Sequence, residues 1–279
     1  MKTIALAAAA LLASAFGGSA LACEGYSVDT VQSAGQSYDP AQLTTQLVQI
    51  SIHADGMAQD CVPLAASVRA RGGAGRIVLQ RLGDSLQARP VRSALVASAN
   101  ATEIEITTVA RRDLAGEGRI LLDLLEIDAG QFVPVGDYVA DLEWVVEGQA
   151  PHPFQIAVRV EPSVRFVGDG VTQLSLGEVS DGGEVRSSFL YATNANLRVS
   201  ARSEHGGRLE HELGPNFGSI PYVAYLSGQR LDLASPTLVT LILGRAGLKS
   251  EELRVDVQPQ QGRYAGSYKD TLTLNFVAY

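Results

Sequence analysis

The sequence predicts an all-β protein built as two tandem antiparallel β-sandwiches, the second lacking its final strand. Three observations lead there. Apolar and polar residues alternate in short runs separated by glycine, asparagine and proline turns, which is how half-buried strands are written. No segment holds a sustained helical period or a coiled-coil heptad. A stretch beginning at Gly136 returns at Gly266, so one structural unit occurs twice.

The repeat is in register. Gly136 matches Gly266, Tyr138 matches Tyr268, Leu142 matches Leu272 and Trp144 matches Leu274, each pair 130 residues apart. The first copy continues through a turn at 148–153 into a further alternating strand, Phe154-Gln155-Ile156-Ala157-Val158-Arg159-Val160. The second copy runs through Leu272, Leu274 and Phe276 to Tyr279, the last residue of the sequence. If both units are sandwiches, the second presents an unpaired row of backbone donors and acceptors beside an unfilled groove, which is the arrangement that accepts a strand from another chain. Burying four side chains such as Phe154, Ile156, Val158 and Val160 stabilises a domain by roughly 6 to 12 kcal/mol, at about 1.5 to 3 each. Whole domains are stable by only about 5 to 15 kcal/mol, so the second unit is expected to be marginal alone. The alternative is that its last strand is an ordinary sheet edge.

From the amino end, Met1-Lys2, an apolar run from Ile4 to Phe16, and Ala20-Leu21-Ala22 form the pattern of a secretory signal peptide over residues 1–22. Cys23 and Cys61 are the two cysteines of the sequence, and in an exported chain their economical pairing is one disulfide. Closing that loop contributes roughly 4 kcal/mol in the chain-entropy model. The remaining 257 residues suffice for two domains, 23–161 and 162–279, divided at Glu161-Pro162, where proline interrupts a strand ladder. No later segment approaches 18 uninterrupted apolar residues, so no membrane span is expected. The formal charge of −8 becomes −9 without Lys2 and argues against nucleic acid and anionic membranes.

Within the first unit, Val48 to Ile52, Ile77 to Leu79 and Glu103 to Thr107 read as strands. Ile120 to Ile127 fits a short buried helix or a strand with two apolar faces, and we read it as a strand. In the second unit the strand signals are Val164 with Phe166, Leu174 with Leu176, Phe189 with Tyr191, and Leu197 to Ala201. They continue with Tyr222 to Leu226 before a Ser227-Gly228 turn, Leu231 to Leu233, Leu238 to Leu243, and Leu253 to Val257.

Residues 265–274, Ala-Gly-Ser-Tyr-Lys-Asp-Thr-Leu-Thr-Leu, with Ile220-Pro221-Tyr222 and the Gly228 turn upstream, resemble the spore coat protein U family, the pilin-type subunits of archaic chaperone-usher pili. The likeness covers most of 163–279 and in the first unit is carried by Cys23, Ser37-Tyr38-Asp39-Pro40, Cys61 and Gly136 to Leu142. It implies incomplete immunoglobulin-like, pilin-type folds. A periplasmic chaperone strand would cap the second domain, an outer-membrane usher would assemble it, and a neighbouring pilin subunit would later fill it. A two-domain member without an arm of its own resembles a tip adhesin, with an unknown surface or receptor ligand held by the first domain. The expected acceptor edge and groove comprise Gly266, Tyr268, Leu272, Leu274, Phe276 and Tyr279. Loops at the far end of the first domain, carrying Asp55, Met57, Asp84 and Asp113, are the candidate adhesive positions. The competing reading is a self-contained secreted or periplasmic β-sandwich that binds or coats without joining a pilus.

Catalytic and metal chemistry find little support. There is no G-x-S-x-G elbow, and Gly72, Gly73 and Gly75 lead into a strand instead of a phosphate-binding helix. His205 and His211 lie near one another among carboxylates, but their spacing matches no zinc signature, and a hairpin turning at Gly206-Gly207 explains the same letters. We expect no enzyme, cofactor or metal.

Overall fold

The computed structural model describes residues 26–27, 36–54, 65–72, 75–235, 238–242 and 244–279. The predicted signal peptide, Cys23, Cys61, Asp55 and Met57 lie outside the described residues. Among the described residues the regular structure is almost all strand. In order it runs β1 (Tyr26–Ser27), β2 (Ser37–Tyr38), β3 (Gln46–Ala54), β4 (Ala66–Ala70), β5 (Leu79–Arg81), β6 (Asp84–Leu86), β7 (Ala88–Pro90), β8 (Val96–Ala99), β9 (Glu103–Ile106), α1 (Thr108–Glu117), β10 (Arg119–Ile127), β11 (Gly136–Val146) and β12 (His152–Val160). It continues with β13 (Val164–Val167), β14 (Gly183–Thr193), β15 (Leu197–Ser203), β16 (Arg208–His211), β17 (Ser219–Leu226), β18 (Gln229–Arg230), β19 (Leu238–Leu241), β20 (Gly247–Val257), β21 (Tyr268–Lys269) and β22 (Leu272–Ala278).

Strands β1-β3-β10-β7 form one sheet and β2-β12-β11-β4-β9-β8 the facing one, with the β5–β6 hairpin attached to β11. Their inward rows meet in a single core that includes Ile50, Leu122, Tyr138, Trp144 and Val158. A second core lies between β13-β14-β20-β17-β16-β21 and β19-β15-β22, around Val199, Tyr222, Ala224 and Val255. No pairing among the described strands joins the two sets.

The segment from Ile120 to Ile127 is a strand, and its ambiguous pattern has a local cause. Pairing with β3 shifts register between Asp123 and Leu125, and this bulge turns both Leu124 and Leu125 into the core. The sequence reading missed α1, and with it misassigned Asp113, which stands on this helix and not on a loop. Thr107 caps the helix by accepting the Ala110 N–H at 3.1 Å, and Gly118, at φ +69°, ends it. Buried Ala110 pins it to the core. Asp84 is also corrected: it begins β6, in a hairpin whose Gln80 pairs with Val139 and whose Arg81 lies over Gly136. That is the end of the sandwich nearest the second unit, opposite to α1 and the β11–β12 turn.

Between the two cores a set of hydrogen bonds ties the chain. The Ser163 N–H donates to Asn194 Oδ1 at 2.8 Å, Asn194 Nδ2 donates to the Glu161 carbonyl at 2.9 Å, and Thr193 Oγ1 donates to the Ser163 carbonyl at 2.8 Å. Ser163 Oγ reaches back to Asp39 at 2.6 Å, and the Arg165 guanidinium lies 5.5 Å from the Phe132 ring. Asn194→Ala strips partners from two backbone groups at this junction. We expect a loss of about 1 to 3 kcal/mol in urea unfolding, against a change near zero for the exposed Thr273→Ala.

Candidate functional site: an open strand position

The repeat seen in the sequence is a repeat of geometry. Tyr138 donates its hydroxyl to the carbonyl of Pro134 at 3.0 Å, and Tyr268 does the same to Tyr264 at 2.9 Å, four residues back in each case. Gly136 and Gly266 precede them at φ +137° and +153°, and in each a side chain occupies the space of a Cβ: Arg81 in the first, His211 in the second. Leu142 pairs with Ala70 on β4, and Leu272 pairs with Ser203 on β15.

The two copies differ on their other edge. Along β11 the whole row from Gly136 to Trp144 is paired with β12, from Val160 back to His152. Along β21 and β22 no described strand occupies that side. The consequence appears in burial. Ile156, Val158 and Val160 of β12 are sealed in the first core, whereas Leu272, Leu274, Phe276, Val185, Phe189 and Leu253 are only half-buried. They line a groove of about 1880 Å³.

Its opposite wall is the segment 168–181. Leu174 and Leu176 were expected as a strand and are not one. In the first unit β2 is held in parallel pairing by Arg159 and Val160 of β12, and the corresponding wall of the second unit has no such partner. The groove has one closed end. Phe276 meets Phe166 edge-on at 4.9 Å and Phe189 at 5.5 Å, with Tyr191 behind at 6.1 Å, on the side facing the first unit. The other end, at Gly266 and Tyr268, points away from it. Of the predicted acceptor residues, the structure brings Gly266, Tyr268, Leu272, Leu274 and Phe276 to this groove. Tyr279 is the exception: period two turns it outward, where Arg198 stacks 4.2 Å over its ring.

What holds the open edge in place is Asp270, a residue the sequence reading passed over. It lies between β21 and β22, on the inward parity of Tyr268 and Leu272, where the first copy has Ala140. Its carboxylate accepts from Ser203 Oγ, from Tyr222 OH at 2.6 Å, from the His205 N–H at 3.1 Å, from its own neighbour Thr271 N–H at 2.8 Å, and contacts His205 Nδ1 at 3.0 Å. Burial pushes its pKa up, but these hydrogen bonds outweigh burial and hold it below the usual aspartate value. Burial and the same carboxylate push the Tyr222 hydroxyl well up. An inward aspartate in an apolar alternation was the available signal.

Nor do Ser203 and Arg208 flank a hairpin. The turn at Gly206-Gly207 instead carries the chain from one sheet to the other, since β15 pairs with β19 and β22 while β16 pairs with β17 and β21. Both glycines take positive φ there, and the Gly207 N–H donates to Ser203 Oγ. Leu213 is exposed and does not share the face of buried His211. His205 and His211 have separate tasks. His205 lies between Asp270 and Glu210, at 3.0 and 3.4 Å. His211 accepts the Leu213 N–H on Nδ1 at 3.1 Å, so its proton is on Nε2, facing the Ala265 carbonyl at 3.2 Å. Glu204, His205 and Asp270 come within 4.8 Å of one another, but both Asp270 oxygens are already taken by donors, which accounts for the cluster without a metal.

The fold and groove define a β-sandwich pair whose second member has a vacant strand position. No family model matches the sequence, and no curated protein matches it. Among solved structures, the chain is similar to the chaperone-tip adhesion subunit pre-assembly complex from archaic chaperone-usher Csu pili of Acinetobacter baumannii. Identity is 13%, coverage 86% of this chain and 96% of that one, and the TM-score 0.47. It is also similar to the CupB6 tip adhesin of Pseudomonas aeruginosa, at 12% identity, 83% and 86% coverage and TM-score 0.32. A third likeness is to the P pilus rod subunit PapA, at 11% identity, 42% and 99% coverage and TM-score 0.31.

Two outcomes test the edge. Asp270→Ala leaves several buried donors unpaired and is expected to cost about 3 kcal/mol or more in urea unfolding at neutral pH. Because the folded pKa of Asp270 lies below its ordinary 3.8, its contribution is complete above that value and lost as the pH falls through the lower folded value. The difference in urea midpoint between the parent and Asp270→Ala should therefore shrink from pH 5 toward pH 2. A gap that stays constant over that range would show that the carboxylate carries none of it.

Proposed function

We propose that this chain is an exported structural and adhesive subunit that accepts a donor strand in its second unit, 162–279, and contacts a surface or receptor through its first, 23–161. The observation that carries the reading is the internal comparison: β12 fills in the first unit the place left open along β21 and β22 in the second. A guest strand there would pair with the free edge and set alternate apolar side chains against Tyr268 and Leu272. In the register of β12, its inward residues fall opposite Gly266, Tyr268, Asp270 and Leu272.

The polarity of the groove supports a place at the tip of a fibre. Its open end faces away from the first unit, so a guest joined to a larger body leaves on the side opposite α1 and the β11–β12 turn. The partners this reading requires are a periplasmic chaperone, an outer-membrane usher and a neighbouring subunit, with the fibre or cell surface as destination. No helix among the described residues is long and apolar enough to cross a membrane. The distal surface of the first unit, with α1 and exposed Asp113, is where target contact is expected; Asp84 is at the wrong end for it.

A synthetic peptide with the sequence of β12, residues 152–160, is the direct probe. Added to the intact chain, it should slow amide exchange in 266–276 and raise the thermal midpoint, while a peptide of the same composition with its alternation scrambled should do neither. Equal behaviour of the two peptides, or protection elsewhere than this edge, would remove strand acceptance and leave the self-contained β-sandwich as the reading.

A further inference from the structure

The two units differ at the mouth of the strand site as well as inside it. In the first, Val160 pairs with Gly136, so β12 leaves beside that glycine, and the second unit begins after three more residues, at β13. The loop ahead of Gly136, residues 129–135, is half-buried along its whole length. Part of its cover is the second unit itself. The guanidinium of Arg165, the fifth residue past Val160, lies 5.5 Å from the centre of the Phe132 ring, and its nitrogens come within 3.7 Å of where a Gly130 Cβ would stand. The wall on the far side of β12 is tied to the same loop: Tyr38 of β2 donates its hydroxyl to the Asp128 carbonyl at 2.9 Å and accepts the Gln131 N–H at 2.8 Å. The mouth is thus a frame of two segments around a departing strand, with the next body seated on it.

The second unit builds the same frame without the body. Its loop 259–265 stands 130 residues on, and the match is physical, because Tyr268 closes on the Tyr264 carbonyl as Tyr138 closes on that of Pro134. The wall 168–181 is tied to this loop by the Gln260 N–H, which donates to the Ser180 carbonyl at 3.1 Å. Yet residues 261–265 are exposed without interruption. An aromatic platform stands there. Tyr264, 63% exposed, meets Phe217 edge-on at 5.8 Å, and Phe217, 38% exposed, stacks at 5.5 Å on His211, the side chain that occupies the space beside Gly266. Where the first loop has Phe132 the second has Gly262, so the ring offered at this mouth is two places further on, at Tyr264. Arg263 is turned to Gln260 Oε1, to which it donates at 3.1 Å.

Resting on the strand-acceptor reading, we infer that the joint to the neighbouring subunit repeats the joint inside this chain. The donor's folded body follows its groove-filling strand as closely as β13 follows β12, and a cationic side chain just past that strand seats on Tyr264 as Arg165 seats on Phe132. The direction of the groove leads to this loop. Its inner end is stopped by Phe166, and a guest in the register of β12 has its carboxy end opposite Gly266, so the chain that continues from it passes 261–265. Exposed aromatic rings continuous with a strand-binding edge have the composition of a protein contact surface. Groove burial holds the donor strand, while the short linker and the platform fix the angle at which the neighbour stands.

The chain's own sequence supplies the probes, two peptides amidated at the carboxy end. Peptide 152–160 is the strand alone, and peptide 152–165 adds the linker and Arg165. By titration calorimetry on the intact chain the longer peptide should bind about threefold tighter, the size of an exposed cation–π contact, and it should slow amide exchange at 261–265 where the shorter one does not. Arg165→Gln in the long peptide, or Tyr264→Ser in the chain, should each remove the gain. The short peptide should bind the parent and the Tyr264→Ser chain alike, which shows that the variant keeps its fold and groove. Equal affinities of the two peptides for the parent chain, or a gain that survives both substitutions, would overturn the inference while leaving strand acceptance standing. If Tyr264→Ser weakens the short peptide as much as the long one, the ring belongs to the groove and the inference fails as well. Absence of binding by both peptides would overturn both readings.

Discussion

The second unit depends on a carboxylate that keeps in position a strand paired along one edge only. A sheet edge next to an open groove has no cross-strand ladder on one side and its apolar side chains are only partly covered, so β22 needs another anchor. Asp270 supplies it by gathering Ser203 and His205 from the end of β15, Tyr222 from β17 and Thr271 from the start of β22. In the first unit the same position is Ala140, and there β12 does the anchoring. The polar node and the vacant strand position are thus two sides of one arrangement. A pre-formed edge lowers the ordering cost that a guest would otherwise meet on binding.

The aromatic cluster at Phe276 has a related role. By packing Phe166 and Phe189 against Phe276 it closes the groove toward the first unit and gives the vacancy a direction. β13, which brings Phe166, also carries Arg165 onto the Phe132 loop and follows the tied junction at Ser163. The closed end of the groove and the contact with the first unit are thus neighbouring residues of one strand.

The open groove was legible because strand periodicity is written in adjacent residues and because the chain contains its own control. Gly136 and Tyr138 against Gly266 and Tyr268 gave the register, and the tyrosine hydroxyls closing on carbonyls four residues back are the physical content of that match. The helix α1 was missed although Thr107 and Gly118 marked its ends, because a single short helix in a run of strands has too few turns to establish a period. Asp84 was misplaced because a turn signal says that the chain reverses but not at which end of the sandwich. Tyr279 was misassigned by proximity in sequence, where parity already turned it outward.

Local alternation and the internal repeat, read by themselves, determined the all-β class, the matched strands and the edge that lacks a partner, because each depends on residues one or two apart or on a copy of the same segment. Tertiary structure alone decided that Asp270 bridges two sheets and that Phe166 stops one end of the groove. Those facts arise from strands that meet through pairing between residues up to about 80 positions apart, a distance over which a one-dimensional pattern carries no geometry.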